Sequence, residues 1–274
     1  MGTDSLHVEE LGRGNERSVL LLHAAATSGW MWGVVARRLA EEFHVLIPDL
    51  PGHGRSNRLT WRSLRETARL VDSALADRAH DGAAHVVGLS LGGYVSLETA
   101  VLSSRIRSLM VSGVNVLPFP HPGWMRAVGR VIEPVLKSDA FLRFNARSLR
   151  IPRDQVAGFR EAAKAADPAS LRTVNAEALH YRIPEHAGRT ATPVLAVAGA
   201  KEHQLILRSL PEIQSAFPNA VAGTAPDGHH GWNGEQPDLF ARVVREWIDE
   251  PVLPAGLLPA GPANSSQRPS SARA

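Results

Sequence analysis

Five short runs along the chain are apolar at nearly every position: Ser18–His23, His44–Pro48, His85–Leu89, Ser108–Ser112 and Val194–Ala198. Such runs show none of the alternation expected of a strand with one wet face, and they suit a parallel sheet covered on both sides. Between them, helical spacing predicts helices over Gly33–Glu42, Ser63–Arg78, Leu91–Leu102, Leu205–Phe217 and Pro237–Asp249. In the last of these Leu239, Val243, Val244 and Trp247 recur on one face. Strand then helix, repeated, is the pattern of an α/β fold. The alternation stops between about Pro118 and Thr192, where the pattern is helical, interrupted by Pro134, Pro152, Pro168 and Pro184. Those 75 residues are too many for a loop. They predict a helical cap at 118–192, inserted into a core made of 1–117 and 193–250. From Pro251 to Ala274 the chain is rich in Pro, Ala, Gly and Ser without any period, which predicts a disordered tail.

Composition narrows the chemistry. Of the 274 residues, 44% are hydrophobic and 21% charged, ordinary values for a folded chain. Cysteine is absent, which excludes a disulfide framework, a thiolate metal site and a Cys nucleophile. No apolar run approaches the roughly 20 residues of a membrane span. Met1–Glu10 has no apolar stretch of a secretory signal, and Leu6 stands where myristoylation wants Ser or Thr. A cytoplasmic protein without a membrane partner is expected. The pI of about 9.8 suggests nucleic acid at first. Setting aside Arg268 and Arg273 of the tail, however, leaves 28 basic against 27 acidic residues, and no basic helix or aromatic-studded basic strand stands out. No nucleic-acid partner is expected.

Gly88-Leu89-Ser90-Leu91-Gly92-Gly93 falls at the end of one of these strands and directly before a helix. A G-x-S-x-G match alone is weak, but in this setting it describes a sharp strand-to-helix turn. The turn needs small residues two places before and two after the serine, and it exposes the hydroxyl at a helix N-terminus. Ser90 is the candidate nucleophile. A serine hydroxyl needs a base to attack an acyl carbon, and the base needs an orienting acid.

Taken in order, several segments resemble the α/β-hydrolase fold superfamily, in its cap-bearing branch of esterases, lactonases, carbon–carbon hydrolases and perhydrolases. Leu20–Ser28 looks like the strand and His-Gly loop. Pro48–Ser56 is similar to the D-x-x-G-x-G-x-S segment, Gly88–Gly93 to the nucleophile elbow, Pro193–Gly199 to the strand before the acid, and Gly228–His230 to the histidine turn. The resemblance covers roughly 7–249 and implies an α/β-hydrolase fold with an inserted helical cap. His230 heads a stretch similar to the family's H-x-x-x-x-E-x-P loop, which implies that it is the base. Glu202 stands at the acid position of the family's Gly-x-x-Asp, and the other acid location, Ser112–Asn115, holds no carboxylate. Asp227 lies on another loop. The resemblance assigns an oxyanion hole to the backbone N–H groups of Ala25 and Leu91. Ala24 stands where the family commonly has Gly, which Ala tolerates at negative φ. His23, Asp49 and His53 are read as structural.

Trp30, Met31 and Trp232 fall in loops expected to border the substrate pocket. Twelve basic against seven acidic residues between Gly123 and Arg189 would steer an anionic substrate, or would simply be a solvated helical face. The reading is a serine hydrolase of a small-molecule ester, lactone or thioester, using no metal or other cofactor. Two alternatives stay open: a non-hydrolytic relative serving as a ligand receptor or scaffold, and a lyase built on the same triad. Reactivity of Ser90 separates the first, and product analysis the second.

Overall fold

The computed structural model describes residues 5–261. Eight strands form one sheet: β1 (Val8–Leu11), β2 (Ser18–Leu22), β3 (His44–Pro48), β4 (Ala84–Leu89), β5 (Ile106–Ser112), β6 (Val194–Gly199), β7 (Ala220–Ala225) and β8 (Leu258–Pro259). Their order is β1-β3-β2-β4-β5-β6-β7-β8, parallel throughout except for β1 and β8, which pair antiparallel at the two edges. The helices outside the predicted cap are α1 (Gly33–Leu39), α2 (Leu64–Arg78), α3 (Leu91–Leu102), α8 (Gln204–Ala216), α9 (Trp232–Glu235) and α10 (Pro237–Asp249).

Side chains alternate across a strand, so a strand apolar at every position feeds two cores at once. In β2, Leu20 and Leu22 join one core with Val71, Leu75, Val95 and Ile213 of α2, α3 and α8. Val19 and Leu21 join the opposite core with Val35 and Leu39 of α1 and Val243, Val244 and Trp247 of α10. β1 and β7 go unpredicted for different reasons. β1 (VEEL) is a largely half-buried edge strand with two acidic residues, and β7 (AVAGTA) is built of small residues.

Between β5 and β6, adjacent in the sheet, the chain makes α4 (Pro122–Leu136), α5 (Asp139–Ser148), α6 (Val156–Ala165) and α7 (Pro168–His180). α7 is tied firmly to the rest. The Glu177 carboxylate accepts from Trp61 Nε1 at 2.7 Å and from the Leu64 N–H at 3.1 Å. Ser170 Oγ accepts from the Trp61 N–H at 3.1 Å, and the Asp167 N–H donates to Gly52 O at 2.7 Å.

A disordered tail from Pro251 does not hold over its first part. β8 pairs with Gly223 and Thr224, Leu257 is buried, and the Ala255 N–H donates to Glu246. Composition gave no sign of this because a two-residue strand is held by backbone bonds and one buried leucine. The remainder of that segment, 262–274, lies outside the described residues.

Candidate active site

The elbow forms as its residue types require. Ser90 sits at φ 54°, ψ −111°, a strained conformation for a residue with a side chain. The turn leaves no room for neighbours: a Cβ on Gly88 would collide with Gly92 O and Ser96 Oγ, and one on Gly92 with the Leu22 backbone. The Ser90 N–H donates to Ser112 O and the Gly92 N–H to His23 O, which pins the turn to the strand ends on either side.

Beyond the end of β6, Glu202 Oε2 accepts from His230 Nδ1 at 2.8 Å. The Glu202 side chain is only 7% exposed, and its other oxygen accepts from the His203 N–H at 3.1 Å. Burial pushes this carboxyl up. The hydrogen bond and charge of His230, with the His203 N–H, outweigh burial and hold the group below its ordinary value. An ionised carboxylate only accepts, so in this bond the Nδ1–H of His230 donates, which turns Nε2 to the far side of the ring from Glu202. Lys201, next to Glu202 in sequence, pairs instead with Asp227 at 2.8 Å. His229 turns away to Glu235, which accepts from its ring at 3.2 Å and from its N–H at 3.1 Å.

Gly113 completes this arrangement. It follows β5 at φ +67°, and a Cβ there would stand 2.8 Å from His230 Cε1 and 3.0 Å from Nδ1. In the sequence this segment stands out only for the carboxylate it lacks.

On the other side of the elbow, the loop after β2 is held by groups with no chemistry of their own. His53, buried, donates from Nδ1 to Pro51 O at 2.9 Å and accepts the Ala26 N–H on Nε2 at 3.1 Å. Burial lowers its pKa against the opposing effects of the Pro51 carbonyl and nearby acids. His23, wholly buried, donates to Ala24 O at 2.8 Å and accepts from the Leu50 N–H at 2.9 Å. Burial and the neighbouring His53 bring its pKa down to about 3, so it is neutral. Asp49 accepts from the N–H groups of Gly29 and Arg55, tying the two loops together. Among the described residues, the N–H groups of Ala25 and Leu91 have no hydrogen-bond partner.

Ser90, His230, Ala25 and Leu91 all line one cavity of about 410 Å³. The expectation for Trp30, Met31 and Trp232 does not hold, because none of them lines this cavity. Trp232 is fully buried among core residues, its Nε1–H donating to Ser112 Oγ at 2.9 Å. Met31 places its sulfur against the Ala24 N–H, and Trp30 packs on Gly158 of α6 beside a separate cleft. Closeness in sequence to the site residues misled here. The aromatic lining is Tyr94 and Phe119.

Among the described residues no helix is long and apolar enough to cross a membrane. The chain is 30% identical over 262 residues to an "AB hydrolase superfamily protein" of Gibberella zeae, covering 87% of this chain and 82% of the relative. It is 28% identical to a pimeloyl-[acyl-carrier protein] methyl ester esterase of Chromobacterium violaceum, with 89% and 98% covered. An esterase from Thermogutta terrifontis superposes with a TM-score of 0.72 at 21% identity, over 90% of this chain and 93% of that one. The enol-lactonase of Burkholderia xenovorans gives 0.71 at 20%, over 89% and 96%. At such identities the superpositions speak for the fold alone. The description "Alpha/beta hydrolase family" matches residues 19–243, and with that span, this elbow and this sheet order the chain belongs to the alpha/beta hydrolase family.

Proposed function

We propose that this protein is a serine hydrolase of small ester-type substrates, an ester, lactone or thioester, working through an acyl-enzyme. Ser90 Oγ attacks the acyl carbon while His230 Nε2 takes its proton, and Glu202 orients the imidazole and stabilises the imidazolium. The N–H groups of Ala25 and Leu91 receive the oxygen on which negative charge develops. His230 then protonates the leaving group, and a water that it deprotonates releases the acid and restores Ser90. The observation that carries this reading is the 2.8 Å bond from His230 to a buried, ionised Glu202, formed beside the cavity that Ser90 enters from its strained elbow. The esterase names among its relatives point the same way.

Incubation with a fluorophosphonate tests the assignment. The parent chain should label at Ser90, with loss of labelling in Ser90→Ala and a drop of several orders of magnitude in rate for His230→Ala. A folded parent that stays unlabelled, with no hydrolysis across an ester, lactone and thioester panel, refutes it.

A further inference from the structure

The geometry points to α9, the single turn Trp232–Glu235, as the piece that registers the parts of the site against one another, with Asn233 and Glu235 as its positioning residues; this rests on the Ser90–His230 reading above. Three of its side chains reach three different parts. Trp232, wholly buried, donates from Nε1 to Ser112 Oγ at 2.9 Å, and the carbonyl of that same serine takes the Ser90 N–H at 2.8 Å. Asn233, also buried, donates from Nδ2 to Met31 O at 3.2 Å, and the sulfur of Met31 accepts the Ala24 N–H at 3.2 Å. Glu235 Oε2 accepts from the His229 N–H at 3.1 Å and from its ring Nδ1 at 3.2 Å. The elbow, the loop of the proposed oxyanion hole and the loop of the proposed base therefore share one support.

The base needs this support most. His230 lies between Gly228 and Gly231, residues that lend a loop little stiffness. Among the described residues its own backbone N–H and C=O make no hydrogen bond. Its ring is held at one edge by Glu202. Upstream, Gly228 O takes the Lys201 N–H at 2.9 Å, which leaves His229 as the last residue anchored before the base. Glu235 holds that residue at both ends, backbone and ring, with a single oxygen.

Packing alone is a poor reason for a carboxyl at 235. Its Oε1 is buried with no partner among the described residues, an arrangement that burial makes unfavourable. An apolar side chain there would avoid that cost, but it would leave His229 unheld. What Glu235 supplies is direction, since a reacting group has to be kept within roughly 0.5 Å of its productive place by groups behind it.

The test uses the full chain, with p-nitrophenyl butyrate turnover and the rate of fluorophosphonate labelling at Ser90 as readouts. Glu235→Ala should lower kcat about thirtyfold and leave KM within about twofold, with labelling slowed to a similar extent. Glu235→Gln, whose amide oxygen can still accept from His229, should stay within about threefold of the parent. His229→Ala spares the backbone bond and should lower kcat about threefold, yet cost nothing further when added to Glu235→Ala, because the two variants then remove one contact. Asn233→Ala, which cuts the tie to Met31, should lower kcat about fivefold at constant KM and multiply with Glu235→Ala. A folded Glu235→Ala protein with the parent's kcat overturns the inference, as does a loss carried by KM or one that Glu235→Gln shares in full. Should Glu235→Ala not fold, His229→Ala and Asn233→Ala both turning over at the parent's rate overturn it. An active, labelled parent whose variants match it refutes only the positioning, and an unlabelled, inactive parent refutes its basis as well.

Discussion

Gly113→Ala is the perturbation that probes the site most directly, because it touches none of the reacting groups chemically. Two separate costs follow. An alanine at φ +67° sits in the left-handed region, which is disfavoured by roughly 1–2 kcal/mol. Its Cβ would also stand 2.8 Å from His230 Cε1, well inside the ordinary separation of about 3.5–4.0 Å between carbons. Relief requires the ring to retreat by roughly 0.7 Å, and a retreat of that size away from Glu202 stretches the 2.8 Å bond to about 3.5 Å, past the ordinary N–H···O range. Misplacement on that scale is worth about 10²-fold in rate. The thermal midpoint should fall by about 2–8 °C. Ester turnover and fluorophosphonate labelling should both drop about a hundredfold, with KM little changed. Glu202→Gln is the companion, lowering the same rates without the backbone strain. A Gly113→Ala protein within about threefold of the parent in kcat would refute the reasoning, since the imidazole would then have no need of its present position.

Other consequences can be checked on the same preparations. His53→Ala strands the Ala26 N–H, an omission worth about 1–3 kcal/mol if water does not replace the ring. Its kcat should fall at least about tenfold, and an unchanged kcat would remove His53 from any part in shaping the loop. Glu98 has its pKa raised chiefly by burial, with Glu177 adding to the effect and Arg65 and Tyr181 opposing it. A raised carboxyl is accommodated while protonated and loses stability as pH climbs through the raised value, so Glu98→Gln should raise the melting temperature at pH 8 and leave it unchanged at pH 4. For Glu202 the sign is reversed. Its lowered pKa contributes stability above the ordinary 4.5, and that contribution is lost as pH falls through the lowered value. Urea titrations at pH 7 and below 4.5 should therefore show a smaller acid-side loss in Glu202→Gln than in the parent.

The parts legible in the sequence are those set by local stereochemistry. The elbow at Ser90 is dictated by space within five residues. His230 and Glu202 are legible only through the family resemblance of their loops, and a 2.8 Å bond joins them. α3 and α10 begin and end where the pattern places them, because their apolar faces are continuous and their ends abut a turn or a proline. What escaped depends on contacts made across the chain. Gly113 matters only because His230, more than a hundred residues later, packs where its Cβ would be. The cavity walls depend on where α7 comes to rest, and the bonds that place it run from Glu177 and Ser170 to Trp61 and Leu64. Trp30, Met31 and Trp232 have the composition of a pocket lining, but their side chains are spent on packing and on bracing the loop.

The loop after β2 matches strain and hydrogen bonding around the backbone group proposed to receive the oxyanion. Ala24 stands where the wider family commonly has glycine, and it does so without a positive φ. The left-handed residue is Ala26, at φ 56°. Glycine at that position would relieve roughly 1–2 kcal/mol of strain and return about 0.5–1 kcal/mol in chain entropy, a small net gain in stability. The strained alanine is held by the bond from its N–H to His53, while Ala24 is held by Met31, Thr27 and His23. Ala25 lies between the two with its N–H unspent. Both flanks fix the direction of that N–H, so on the proposed mechanism little reorganisation would be left when an oxyanion forms. The two histidines are suited to this task because burial keeps them neutral, each with one nitrogen donating and the other accepting. A protonated ring at either position would lose the acceptor that secures its backbone N–H. The proposed chemistry at Ser90 thus depends on two imidazoles that never exchange a proton with the substrate.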